Sequence, residues 1–144
     1  MIQPFQRDDT LLHDIRSSDG DDAAFPLWWL GQSGFLVKWR GRCLLFDPYL
    51  SDSLTEKYAG TDKPHVRMTE RCVDPARLDM VDVVTSSHNH TDHLDAATLL
   101  PLAAANPRLT LVLPEANIPF ARERLGAAPL VMTGLDEGRS VEVD

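Results

Sequence analysis

The chain has 144 residues, of which 43% are hydrophobic and 25% are charged, a composition typical of one globular domain and not of disordered or fibrous proteins. No stretch approaches the roughly 18 apolar residues of a membrane helix. The first residues also lack the basic and apolar segments of a signal peptide, so we expect neither membrane insertion nor export. The net charge of −8, without a basic cluster, disfavours nucleic acid as a partner.

Cys43 and Cys72 are the two cysteines, and their spacing resembles neither a metal site nor a redox motif. We therefore expect two ordinary reduced thiols and a cytoplasmic location. Residues 1–24 contain six aspartates and few large apolar side chains, which predicts an acidic, solvated lead-in segment ahead of a domain at residues 25–144.

Three short apolar runs, at residues 27–30, 35–39 and 43–46, are separated by glycine-bearing turns. They predict an antiparallel meander, and their continuous apolar character predicts burial on both faces. Residues 49–74 are polar and aperiodic, which predicts a long loop that is either a functional lid or locally disordered. Within this loop His65 and Arg67 are candidates for contacting an anionic, small-molecule substrate, although for His65 we favour a solvated or structural role.

The second half of the chain alternates strand and helix patterns. We expect a strand at 80–87, a helix at 96–105, a strand at 109–113, a helix at 115–125, a strand at 130–133 and a short strand near 140–143. This alternation after an antiparallel meander predicts a layered α/β domain with a mixed sheet.

Three of the five histidines fall within six residues, as His88, His90 and His93, with Asp92 among them. In extended backbone, residues i and i+2 project to the same side, so His88 and His90 can offer two imidazoles to one ion. Asp92 and His93, beyond a bend, can face a second ion beside the first. The alternative is a polar loop in which Asp92 and Asp95 cap the following helix, and for Asp95 alone we favour the cap.

These residues resemble the signature loop of the metallo-β-lactamase superfamily, whose fold is a sandwich of two mixed sheets between helices (αββα). The resemblance is strongest to the branch that contains ascorbate-6-phosphate lactonase and related metal-dependent hydrolases. Its motifs are Trp28-Trp29-Leu30-Gly31-Gln32-Ser33-Gly34-Phe35, Asp47-Pro48 and Ser87-His88-Asn89-His90-Thr91-Asp92-His93-Leu94-Asp95. The resemblance implies that the chain corresponds to the amino-terminal half of such a sandwich.

The resemblance also implies a metal centre with His88 and His90 on one ion, and Asp92 and His93 on another. Asp47 would support the metal loop, although it is equally compatible with a turn residue before Pro48. One or two divalent ions are implied, zinc or manganese, with iron as a further alternative. The implied reaction is hydrolysis of a lactone, ester or phosphodiester by a metal-bound hydroxide, with Asp92 as the catalytic proton acceptor.

No histidine follows His93, and the superfamily's later ligand motifs are absent from the chain. Two hypotheses follow. The first is a hydrolase whose remaining ligands come from elsewhere, such as a second chain. The second is a truncated, catalytically inactive half-domain that acts as an interaction module or completes its fold as a homodimer.

Overall fold

The computed structural model describes residues 1–20 and 23–143, whereas Asp21, Asp22 and Asp144 lie outside the described residues. The described residues form one six-stranded sheet whose strand order follows the chain. Its strands are β1 (Leu27–Trp29), β2 (Phe35–Trp39), β3 (Arg42–Phe46), β4 (Val83–Thr85), β5 (Thr110–Pro114) and β6 (Val131–Leu135). The first three strands pair antiparallel, and β3 to β6 pair in parallel. The predicted meander and the mixed sheet of an α/β fold are therefore confirmed.

Helices connect the parallel strands, as parallel pairing requires. The α-helices of the described chain are α1 (Asp8–Ser17), α2 (Ser53–Tyr58), α3 (Ala96–Ala105) and α4 (Ile118–Leu125), with short 3₁₀ helices at Pro75–Arg77 and Glu115–Asn117. The bounds of α3 are those expected from the sequence, and Pro101 lies inside the helix. The second predicted helix, at 115–125, begins as the 3₁₀ helix and continues as α4.

One face of the sheet forms the hydrophobic core. Leu36, Leu45, Val84 and Leu111 are neighbours in register across β2 to β5, and none of these side chains is exposed. They belong to the same buried cluster as leucines of α3, α4 and α1, so the helices cover this face. Each such side chain contributes about 1.5–3 kcal/mol of hydrophobic stabilisation.

The opposite face of the sheet is open and apolar. Its exposed side chains include Leu27, Trp29, Phe35, Trp39, Phe46 and Val131. The residues of β2 and β3 that lie between these exposed positions include buried side chains, because successive side chains of a strand point to opposite faces of the sheet. The expectation that the meander is buried on both faces is therefore wrong for the described chain, which has a layer of helices on one face only.

The lead-in segment is not simply a solvated stretch. Residues 8–17 form α1, and Leu11, Leu12 and Ile15 of this helix are buried in the main core. Asp8 and Asp9 of this helix are exposed. Its three buried apolar residues, at positions i, i+1 and i+4, were too few to indicate an amphipathic helix from the sequence. The prediction of a solvated segment is wrong for α1, and the domain boundary at residue 25 stays a prediction.

Several other predicted elements differ from those of the structure in their extent. The strand predicted at 80–87 is confined to β4, and residues 140–143 form no strand. The segment 49–74 contains α2 and several buried residues, so it is packed rather than a free loop. Cys43 and Cys72 are free, buried thiols, as expected. Among the described helices, none is long and apolar enough to cross a membrane.

Candidate metal centre

The histidine loop, residues 86–95, leaves the carboxyl end of β4 and leads into α3. His88 and His90 lie in bends rather than in extended backbone, so the predicted reason for their convergence is wrong. The chain instead folds back on itself, with the backbone N–H groups of His93 and Leu94 donating to the carbonyl of His90 at 3.0 and 2.8 Å. The imidazoles still converge, because the ring centre of His88 lies 4.5 Å from that of His90 and 4.1 Å from that of His93.

Asp47, at the carboxyl end of β3, is the residue that holds this loop to the sheet. Its carboxylate accepts hydrogen bonds from Thr85 Oγ1 at 2.7 Å and from the backbone N–H of Ser87 at 3.0 Å. The Ser87 hydroxyl donates to the same carboxylate. The backbone of Asp47 has a φ of 43°, a left-handed conformation that aspartate tolerates better than most residues.

The ionisation of Asp47 follows from these contacts. Burial alone raises the pKa of this carboxyl, but the hydrogen bonds from Ser87, Thr85 and His93 outweigh it and hold the pKa below its ordinary value. Asp47 is therefore a carboxylate at neutral pH and acts only as an acceptor.

The same contacts determine which ring nitrogens of two histidines are free. His93 Nδ1 lies 2.6 Å from Asp47 Oδ2, and since a carboxylate only accepts, Nδ1 carries the proton. Ser87 gives its single hydroxyl proton to Asp47, so its oxygen accepts from His88 Nδ1 at 3.0 Å. In both imidazoles Nδ1 is engaged as a donor, which leaves Nε2 as the nitrogen that can bind a metal.

The arrangement fits a divalent cation. Asp47, His88 and His93 each place one nitrogen or oxygen within 4.8 Å of the others. His93 Nε2 also lies 3.7 Å from Asp92 Oδ2, a separation that one cation bound to both atoms can span. Imidazole nitrogen and carboxylate oxygen without thiolate suit zinc, manganese and iron alike. The assignment of His88 with His90 and of Asp92 with His93 to separate ions stays a prediction.

Asp95, the last residue of the histidine loop, is almost fully buried, with 1% of its surface exposed. It occupies the N-cap position of α3, as expected, but its side chain does not cap the helix. The carboxylate instead accepts hydrogen bonds from the hydroxyls of Ser51 (2.6 Å), Ser53 (2.9 Å) and Thr98 (2.6 Å). Asp95 therefore ties the start of α2 to α3, directly after the histidine loop.

Ser33 is a positioning residue that the sequence did not single out. Its hydroxyl oxygen lies 2.9 Å from the carbonyl oxygens of both Asp47 and Asp92, so it joins the turn between β1 and β2 to both sides of the centre. The sequence signal was its place in the glycine-bearing turn of residues 31–34. Thr85 and Ser87 were likewise missed, because a hydroxyl next to a histidine motif is common in loops.

The two candidate substrate residues of the 49–74 segment lie in different places. His65 lines a cavity of about 520 Å³ together with His90 and Asp92, beside the metal centre. Arg67 is 2% exposed, and its guanidinium donates to the carbonyls of Tyr49, Ser51 and Thr69 at 2.7 to 3.1 Å. The structure thus brings His65 to the site, whereas Arg67 holds the segment together from inside.

A family model described as the beta-lactamase superfamily domain matches residues 26–143. Since this match spans nearly the whole chain, the chain belongs to that superfamily. The resemblance of the histidine loop to the metallo-β-lactamase superfamily is therefore confirmed.

Two curated relatives are similar over part of their length. The mitochondrial N-acyl-phosphatidylethanolamine-hydrolyzing phospholipase D of Saccharomyces cerevisiae is 32% identical, over 59% of this chain and 17% of its own. A probable L-ascorbate-6-phosphate lactonase, UlaG, of Escherichia coli is 28% identical, over 59% of this chain and 28% of its own. The chain therefore spans less than a third of the length of these relatives.

Among solved structures, CmlA of Streptomyces venezuelae, a diiron beta-hydroxylase, aligns with a TM-score of 0.58 and 21% identity. The alignment covers 83% of this chain and 22% of that chain. This likeness supports the fold.

Proposed function

We propose that this chain provides the histidine-loop metal centre of a metal-dependent hydrolase that acts on a lactone, ester or phosphodiester. The observation that carries the proposal is the convergence of the His88 and His93 imidazoles, whose Nδ1 atoms contact Ser87 and Asp47. The names of both relatives support this proposal, since one is a phospholipase that hydrolyses N-acyl-phosphatidylethanolamine and the other is a probable lactonase. Two free, buried thiols also support a cytoplasmic location.

The residues of the candidate metal centre would have distinct roles. His88, His90, Asp92 and His93 would hold one or two divalent cations, zinc or manganese, with iron also compatible. Such a cation would supply a Lewis acid for the oxygen under attack and would lower the pKa of a bound water to about 7. The Asp92 carboxylate, 3.7 Å from His93 Nε2, accepts the proton of the attacking water and passes it to the leaving group. Asp47 keeps the His93 ring in the orientation and tautomer that expose Nε2.

Hydrolysis of bis(p-nitrophenyl) phosphate and of a simple lactone, with and without added zinc or manganese, tests this function. We expect metal-dependent turnover that dialysis against a chelator abolishes and that metal restores. Asp92→Asn should lower kcat by about 100-fold or more, whereas His13→Ala, an exposed histidine of α1, should leave it unchanged. Absence of turnover in the metal-loaded protein would contradict the proposal for this chain.

A second candidate is favoured by the open sheet face. Trp29 and Phe35 are register neighbours on this face and are 52% and 40% exposed. We propose that, if the chain is catalytically inactive, it serves as a folded half-domain that pairs through this face with a second copy, whose identical apolar surface is self-complementary. Sedimentation velocity tests it. A dimer that Trp29→Gln converts to monomer supports the pairing, and a wild-type monomer contradicts it.

A further inference from the structure

The cavity beside the candidate metal centre is lined by more cations than carboxylates, although the protein as a whole is acidic. It lies between α2, α4 and the histidine loop, and its polar lining includes Lys57, His65, His90, Asp92 and Arg124. Two permanent cations therefore face one carboxylate, in a chain whose net charge is −8. A locally positive cavity on an acidic protein selects anions by the sign of its potential.

Among the described residues, no ion pair joins Lys57 or Arg124 to a carboxylate, and Lys57 Nζ lies over the Tyr58 ring, 5.3 Å from its centre. Arg124 is fixed in place because its Nη1 donates to the carbonyls of Asn89 and Leu94, at 2.9 and 3.0 Å. Its guanidinium also stacks over the Phe120 ring, 4.4 Å from the ring centre. These contacts attach the arginine to the histidine loop itself, so the charge is held beside the metal ligands.

His65 contributes its imidazole ring to the lining of the cavity. Its Nδ1 is buried and has no hydrogen-bond partner among the described residues. The ring packs edge-on against Tyr49, with 6.2 Å between ring centres, and this contact leaves Nδ1 without a partner. An unpaired buried polar group is destabilising. His65 is therefore assigned to the subsite by its place in the cavity lining.

We propose that Lys57, His65 and Arg124 form a subsite for an anionic group of the substrate, a phosphate monoester or a carboxylate. The inference rests on the proposed hydrolase function and deepens it. His90 and Asp92 belong both to the cavity lining and to the candidate metal centre. The anionic group and the bond to be hydrolysed therefore belong to one small molecule that spans the two.

The test measures binding of inorganic phosphate and of acetate to protein freed of metal by chelation and desalting, by isothermal titration calorimetry. Because no metal and no turnover are involved, the subsite can fail while the hydrolase proposal stands, and the reverse. Lys57→Gln removes one cavity charge from an exposed position of α2. Arg108→Gln is the matched control, because Arg108 is an exposed cation that lies outside this cavity.

We expect phosphate to bind the wild type and Arg108→Gln equally, and Lys57→Gln to weaken it about 3- to 10-fold. A preference for phosphate over acetate identifies the group as a phosphate, and equal binding extends the subsite to carboxylates. Arg124→Gln should weaken binding further, with circular dichroism showing that it is folded. No phosphate binding, or equal binding by wild type and Lys57→Gln, overturns the subsite.

Discussion

Asp47 Oδ2 and His93 Nδ1 lie 2.6 Å apart, although 46 residues separate them in the chain. This contact joins the carboxyl end of β3 to the loop that follows β4. The parallel pairing of β3 with β4 makes it possible, since the carboxyl ends of parallel strands meet at one edge of the sheet. The candidate metal centre is therefore a product of sheet topology as much as of the histidine motif.

Replacing Asp47 by asparagine should weaken metal binding about 10- to 100-fold. The neutral amide keeps the shape of the side chain but removes the charge that raises the basicity of His93. Competition titration with a chromophoric chelator measures the affinity. Asp136→Asn, at an exposed residue after β6, is the control. Equal affinities of wild type and Asp47→Asn would show that Asp47 does not tune the centre.

Replacing Asp95 by alanine should lower the free energy of unfolding by about 2–4 kcal/mol. The change leaves three hydroxyls, of Ser51, Ser53 and Thr98, without their shared buried acceptor. Urea denaturation followed by circular dichroism measures the loss. Asp136→Ala should cost less than about 0.5 kcal/mol. A similarly small loss for Asp95→Ala would contradict the structural role of this carboxylate.

Replacing Leu12 by alanine tests whether α1 is part of the core. Leu12 is 3% exposed within the main cluster, so its truncation should cost about 2–4 kcal/mol. Phe5→Ala is the matched control, because Phe5 is fully exposed. Both free energies come from urea denaturation. If Leu12→Ala were as stable as the control, α1 would be detached in solution, as the acidic composition of the segment first suggested.

The strands and helices that a local sequence pattern encodes were largely predictable. Glycine-bearing turns defined the meander, and the helix of residues 96–105 was bounded by Asp95 and Asn106-Pro107. The open face was not predictable from these patterns. An apolar run predicts the same strand whether the second face of the sheet is covered or exposed, as Trp29 and Phe35 show.

The candidate site was predictable in its members but not in its geometry. His88, His90, Asp92 and His93 were recognisable because histidine is scarce outside the cluster. Their convergence depends on a folded loop and on hydrogen bonds from Thr85 and Ser87, which no short spacing encodes. Arg124 is 31 residues beyond His93, so only the packing of α4 reveals its place beside the loop.

The buried thiol of Cys72 makes the free energy of unfolding depend on pH in the alkaline range. Burial raises the pKa of its thiol from 9.0 to about 11. Between these values the folded state keeps a proton that the unfolded state releases, so stability falls as pH rises from 9 towards 11, by roughly 2–3 kcal/mol in total. Urea denaturation at pH 8, 9 and 10 should show a steeper decline for wild type than for Cys72→Ala. Parallel declines would contradict the burial of this thiol.

The most direct measurement of the central claim is the metal content per chain after dialysis against excess zinc or manganese, followed by desalting. We predict about one or two ions per wild-type chain. The His88→Ala, His90→Ala double variant should retain almost none, and His13→Ala should match the wild type. A wild-type chain that emerges empty, or a double variant that retains as much metal, would contradict the assignment of the histidine loop as a metal centre.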